Sequence, residues 1–367
     1  MSTLDVRRAT AHSNTSVQFG WSLVMKMIRR LEPGVNPDVE MSAFLSSRGF
    51  DRVPALLGTI SYEQAGTNTA SVLMLQPFVS NQGNAWDVTI EELGRYFDRV
   101  KALPTVAPGV EAEIIGPYLS TAEILGRRTG ELHAALAAAG GRRDFEPEVF
   151  SVPELKATAR RMRQHATEEL QLLEAAMPRL DDRRRDLARE LLAQRSDLFH
   201  HFDALAHIRS GGARIRCHGD FHLGQVLIAE ADVVILDFEG EPARPIAERR
   251  QKTSPLRDVA GMLRSFSYAA QTGLGVATLT RPEDAERLAP WARMWELWVG
   301  SAFLGAYRAA IDPSGLLPGN ENDLDALLRA FVLDKALYEL AYELNNRPEW
   351  VHIPLRGLLA LRTLNVA

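Results

Sequence analysis

A chain of 367 residues, 46% hydrophobic and 24% charged, is longer than one typical core fills and reads as two or more packed globular units. The formal net charge is −5 and the arginines are scattered among acids, which excludes a basic nucleic-acid-binding stripe. No run approaches the roughly 18 apolar residues of a membrane span. A single cysteine cannot form an internal disulfide, and MSTLDVRRATAHSNTS lacks the basic start and apolar run of a secretory signal, so a bacterial-type cytoplasm is expected.

Residues 15–28 (TSVQFGWSLVMKMI) contain two β-rich runs around Gly20, a hairpin that puts Val24, Lys26 and Ile28 on one face. In EPGVNPDVEMSAFLSSRGF, Asn36 caps a helix, Pro37 suits its first position, Asp38 favours its positive end and Gly49 closes it. Strand-like runs follow at 56–61 and 70–76. A β-rich small unit is therefore expected over 1–79. From about residue 88 helical periodicity dominates, through IEELGRYFDRVKAL, ELKATARRMRQHATEELQLLEAA, WARMWELWVGSAFLGAYRAA and LLRAFVLDKALYELAYELNN. The stretch 138–154 is rich in Gly, Pro and charge and reads as a connection. A large, mostly helical unit over 80–367 is expected, interrupted by a short β ribbon at 214–240.

The densest chemistry lies in that ribbon, in HGDFHLGQ (His218 to Gln225) and, after a turn, VVILDFEGEP (Val233 to Pro242). Phosphoryl transfer needs a group to orient the attacking hydroxyl and take its proton, and divalent metal to neutralise phosphate charge. Asp220 fits the base, Gln225 and Asp237 fit ligands of Mg²⁺, and Glu239 is near enough in sequence to reach a second ion. The bland alternative is a surface hairpin whose acids cap turns; apolar flanks on both acids argue against it. His218 and His222 straddle Gly219 without a third soft ligand at fixed spacing, so zinc is not expected, and His218 is assigned to orienting the loop on its substrate side. Cys217 reads as a small buried filler.

Lys26 has two readings. It is an edge-strand charge that discourages aggregation, or it reaches the nucleotide phosphates and is oriented by Glu40 on the following helix. Ser13, Thr15 and Ser16 with Gly20 are candidates for a phosphate-covering loop, although no GxGxxG or GxxxxGK[ST] string is present, and Gln76 at the end of the fourth run is grouped with these nucleotide-facing residues.

SNTSVQFG, RRLEPGVNPDVE after the strand lysine, HGDFHLGQVL, LDFEGEPARPIAERRQKTSPLRDVAGMLRSFSYAA and YELAYELNNRPEWVHIPLRGL together resemble the bacterial maltokinases, including the maltokinase halves of trehalose synthase fusions. The resemblance spans residues 13–361. It implies a two-lobed, aminoglycoside-phosphotransferase-like α+β kinase fold, ATP and Mg²⁺ as cofactors, maltose 1-phosphate as product for α-glucan synthesis, and association with trehalose synthase. It also implies that the family's N-terminal cap segment is missing here. Gln225 in place of the usual kinase Asn and Asp237-Phe238-Glu239 in place of DFG are shared with maltokinases. For the sugar, Glu339, Tyr342, Glu343, Asn346 and Trp350 offer carboxylates, an amide and a stacking ring; a solvated Lys335–Glu339 pair and core tyrosines are the bland alternative. Arg257 and Asp258 are expected to tie the metal loop to the next helix. Rival readings are a kinase of another acceptor such as glucosamine or an aminoglycoside, a catalytically silent partner of trehalose synthase, and a protein kinase, the last disfavoured because no activation loop follows Glu239.

Overall fold

The computed structural model describes residues 5–9, 14–63, 69–103, 111–242 and 244–361. Strands β1 (Val6–Ala9), β2 (Thr15–Phe19), β3 (Leu23–Met27), β4 (Gly58–Tyr62) and β5 (Ala70–Pro77) form one antiparallel sheet in the order β1-β2-β3-β5-β4. The expected hairpin is β2–β3, turning at Gly20 with φ 56°. Helix α1 (Pro37–Ser47) packs on this sheet; the Asn36 side chain accepts from the Asp38 amide and Pro37 occupies the first turn, the start signals visible in the sequence. Register puts Val24 opposite Gln76 and Lys26 opposite Met74, so all four share the face toward α1.

The chain then enters the helical lobe: α2 (Ala85–Ala102), α3 (Glu111–Ile115), α4 (Tyr118–Ala137), α5 (Val152–Ala176), α6 (Asp182–Ala193), α7 (Arg195–Ala204), α8 (Ile246–Arg249), α9 (Leu256–Ala277), α10 (Ala285–Ile311), α11 (Glu321–Asn346) and α12 (His352–Leu361). Two small antiparallel pairs lie among them, β6 (Glu148–Val149) with β7 (Ala213–Arg214) and β8 (Val226–Ala229) with β9 (Asp232–Ile235). The core is aromatic at its centre, where Trp295, Phe303 and Tyr307 of α10 meet Phe266 of α9. Helices α4 and α10 approach closely because Gly126 presents no side chain; a Cβ there would sit 2.1 Å from the Phe303 carbonyl oxygen.

Two connections hold the lobes in register. The linker after β5 bonds to the ribbon, Gln82 N–H to Ile228 O at 2.8 Å and Ile228 N–H to Gly83 O at 3.0 Å. On the other side, Arg216 and Arg250 of the large lobe grip Glu40 of α1 through 2.7 Å contacts, with Arg216 and Glu40 buried. The loop before β8 and the loop after β9 therefore leave the same ribbon, which is pinned to the small lobe. No helix among the described residues is long and apolar enough to cross a membrane.

Candidate active site

Lys26 leaves β3 beneath α1 and enters a nest of acids. Its ammonium lies 2.7 Å from Asp38 Oδ2, 2.5 Å from Asp237 Oδ1 and 3.4 Å from Glu239 Oε1. Burial alone would depress this ammonium; the three carboxylates outweigh burial and hold its pKa above the ordinary lysine range. The same Lys26 charge holds Asp237 below the usual carboxylate range although burial opposes it, whereas burial raises Glu239. The sequence expectation that Glu40 orients Lys26 is corrected: Asp38 does so. Two residues along a helix turn the side chain by about 200°, so Asp38 faces the sheet while Glu40 faces Arg216 and Arg250. Asp38 Oδ1 also accepts from the Phe238 amide at 3.0 Å, tying α1 to the Asp237 loop.

Asp237 stands in the left-handed region with φ 65°, a conformation Asp tolerates better than most residues and one that aims its carboxylate at Lys26. Gln225 lies near enough to Asp237 to help hold its carboxyl below the ordinary range, and Gln225 O accepts from the Leu236 amide at 2.9 Å. Asp38, Asp237 and Glu239 bring carboxylate oxygens within 4.8 Å of one another, and with the Gln225 amide they form an all-oxygen donor set that fits Mg²⁺. Glu239 is also held by Asn14 Nδ2 at 2.5 Å.

Of the proposed phosphate-covering residues, Ser13 lies outside the described residues. Thr15 and Ser16 belong to β2, and only Ser16, opposite Lys26, shares its face. Gln76 is turned to α1, its amide donating to Pro54 O at 3.2 Å and lying 3.5 Å from Ser42 Oγ. That contact engages its amide with α1 on the same face of the sheet as Lys26, two register positions along.

Asp220 sits on a loop held from beneath. Asp258 at the start of α9 is buried and accepts the His218 amide at 2.7 Å on one oxygen and the Gly219 amide at 2.9 Å on the other; His133 Nε2 lies 3.2 Å away. Burial works against its ionisation, yet His133 and the amides hold the carboxyl below its ordinary range. Gly219 has φ 86°, and a Cβ on it would come within 3.3 Å of Gly240 Cα, so the Asp220 and Asp237 loops touch backbone to backbone. His218 is 1% exposed; Nε2 donates to Leu236 O at 2.8 Å and the ring packs on Phe221 and Phe238. These contacts fix the ring inside the loop, and its burial keeps it off the cavity surface. Cys217 is buried and its thiol is pushed up by that burial, in keeping with a filler.

Asp220 opens onto a cavity of about 500 Å³ whose walls include Phe221, Glu241, Arg244, Arg257, Lys335 and Tyr338. Five sequence-proposed sugar contacts are absent from that wall. Glu339 pairs with Arg264 at 2.8 Å, and Glu343, 1% exposed, accepts from Tyr268 Oη at 3.1 Å and Arg347 at 2.6 Å. Tyr342 is exposed, Asn346 Nδ2 donates to Tyr342 O, and Trp350 lies under Arg347. The stripe on α11 is continuous, but each four residues advance it about 6 Å, so past Tyr338 it meets α9 rather than the Asp220 loop. Asp38, Asp258, His133, Glu241 and Lys335 were not singled out for these contacts from the sequence; only the juxtaposition of distant segments reveals them.

With this geometry in view, comparison with known proteins is decisive at one level. The phosphotransferase enzyme family matches residues 7–295. The chain belongs to that family. Among curated relatives, a glucosamine kinase of Streptacidiphilus jiangxiensis is 28% identical over 93% of this chain and 70% of its own length, and one of Mycolicibacterium smegmatis is 28% identical over 95% and 77%. The solved structure of a glucosamine kinase in complex with glucosamine, ADP and inorganic phosphate superposes with TM-score 0.72 at 24% identity, covering 98% of this chain and 82% of that one. At that identity the phosphotransferase shares the fold, a β-rich small lobe and a helical large lobe. The motif resemblance pointed to maltokinases, whereas these relatives bear the name glucosamine kinase.

Proposed function

We propose that the protein catalyses ATP-dependent phosphorylation of a sugar hydroxyl, with glucosamine the first acceptor and Mg²⁺ as the metal. The observation that carries this reading is the placement of Asp220 between a cavity and the Lys26 cluster, with Gly219 packed on Gly240. In this reading the acceptor occupies the cavity, Asp220 orients its hydroxyl and takes its proton, and Lys26 holds the nucleotide phosphates in line. Mg²⁺, when bound by Asp237 and Gln225 with Glu239 at hand for a second ion, supplies neutralisation of phosphate charge. Asp38 keeps Lys26 directed at that place, and Asp258 keeps Asp220 from drifting.

The relatives' names favour glucosamine. A second reading, maltose, is favoured by the motifs that resemble the maltokinases, LDFEGEPARP and YELAYELNNRPEW among them. In that case the product is maltose 1-phosphate, with trehalose synthase as the expected associate.

A panel of glucosamine, maltose, glucose, trehalose and aminoglycosides, read by ADP formation and product identification, separates the readings. A phosphorylated sugar from glucosamine or maltose supports the proposal. Acceptor-dependent turnover with aminoglycosides alone, or with no member of the panel, overturns it.

A further inference from the structure

Lys335 is a cation that neither the nucleotide cluster nor the scaffold beneath the loop uses. It projects from α11 so that its ammonium lies 3.5 Å from Asp220 Oδ1, 3.4 Å from Glu241 Oε1 and 4.7 Å from the Tyr338 ring centroid. Committed ammonium–carboxylate contacts are shorter, about 2.7–2.9 Å, and Lys26 makes two near that length. Lys335 is instead shared between two carboxylates at long range, with donor capacity left for a third oxygen. Glu241 is fixed on its other side by Arg244 at 2.5 Å and Arg257 at 3.3 Å.

The neighbouring cations on this wall are turned to other partners, Arg244 and Arg257 to Glu241 and Lys252 to Glu148. His222, two residues after Asp220, has its Nε2 4.0 Å from Asp220 Oδ2, and burial holds its imidazole below the ordinary histidine value, so the loop itself brings no fixed cation. Lys26 is occupied by the acids on the nucleotide side. An acceptor oxygen hydrogen-bonded to Asp220 Oδ1 lies within roughly 6 Å of the Lys335 nitrogen, a gap that a small rotation of the lysine stem closes.

We infer that Lys335 is a catalytic residue of the transfer, moving with the phosphoryl group and stabilising the charge on its oxygens as it passes to the hydroxyl held by Asp220. In that step the bond from the acceptor oxygen to the γ-phosphorus forms, the bond from that phosphorus to the β–γ bridging oxygen breaks, its electron pair stays on the β-phosphate, and the acceptor proton goes to Asp220. The inference rests on the kinase reading. Lys335 of α11 and the loop aspartate then both bear on the acceptor oxygen.

The test uses Lys335→Met and Lys335→Arg in the full chain, with wild type as reference. Removing one preorganised donor to developing charge costs about 10²- to 10³-fold in kcat. Lys335→Met is expected to lose that much kcat with the KM for ATP and the affinity for Mg-ADP unchanged, and to bind Mg-ADP with aluminium fluoride more weakly by a similar factor; Lys335→Arg is expected to recover part of both. An intact kcat with only the acceptor KM raised makes Lys335 an acceptor contact and overturns the inference. So does unchanged binding of the aluminium fluoride complex. If Lys335→Met does not fold, Lys335→Arg and Lys335→Gln carry the same measurements. Slow ATP hydrolysis with water as acceptor reads Lys335 independently of any sugar, so failure of the sugar reading and failure of this one are distinguishable.

Discussion

Asp258→Asn perturbs the Asp220 loop from beneath, at a carboxylate that is almost wholly buried. The carboxylate receives the His218 amide on one oxygen and the Gly219 amide on the other, at 2.7 and 2.9 Å. Asparagine keeps one oxygen but turns an NH₂ group toward the second amide, leaving two donors face to face in a site that is 1% exposed. Losing a charge-assisted hydrogen bond and stranding a buried N–H together cost about 2–4 kcal/mol. The loop relieves this by shifting, and a displacement of about 1 Å in a catalytic group costs about 10²-fold in rate. Urea denaturation with steady-state kinetics reads both effects: a lower midpoint, a fall in kcat near 10²-fold, and nearly unchanged ATP affinity, because Lys26 and Asp38 are not involved. A variant within 0.5 kcal/mol of wild type and with unchanged kcat would refute the reasoning that Asp258 positions Asp220.

Glu40→Gln leaves Arg216 buried with a weakened partner and should cost about 3–5 kcal/mol in stability with little selective change in the KM for ATP; Asp38→Asn should do the reverse, and melting curves beside ATP titrations tell them apart. His165 is pushed up to about 10, above the ordinary histidine value of 6.5, by Asp334 at 2.7 Å and Glu169 at 3.2 Å. Because the folded pKa is raised, this stabilisation is full below about pH 6.5 and fades as pH rises toward 10; the stability gap between wild type and His165→Gln, on the order of 2 kcal/mol after solvent screening, should close over that range in pH-dependent denaturation. Glu343→Gln should lower the melting temperature through the buried Arg347 and Tyr268 contacts while leaving the acceptor KM within about two-fold, the opposite of a sugar-binding role.

The elements around the site were legible where local chemistry was strong. Asn36-Pro37 announces α1, the apolar run at 233–236 announces β9, and Asp220, Gln225 and Asp237 stand out because each interrupts or borders an apolar strand. Strand β1 was not legible: VRRA is short, basic and exposed at a sheet edge, so no alternation marks it. The choice between Asp38 and Glu40 depends on the rotation of α1 about its axis, which a pattern of capping residues does not fix. The acceptor face of α11 was displaced toward the chain terminus because Glu339 and Glu343 carry the same polar signature as Lys335 and Tyr338, yet what each meets is decided by where α9 crosses. Asp258 is visible as an acid in a helical run, but its two amide partners lie 40 and 39 residues earlier, a separation no local signal spans.

The central claim, that Asp220 takes the acceptor proton in the phosphotransfer, is tested most directly by single-turnover transfer from ATP in Asp220→Asn, using whichever sugar wild type accepts. The account predicts a rate lower by about 10²- to 10⁴-fold in a protein that melts like wild type and binds Mg-ATP with unchanged affinity. Transfer at a near-wild-type rate in that folded variant would contradict it.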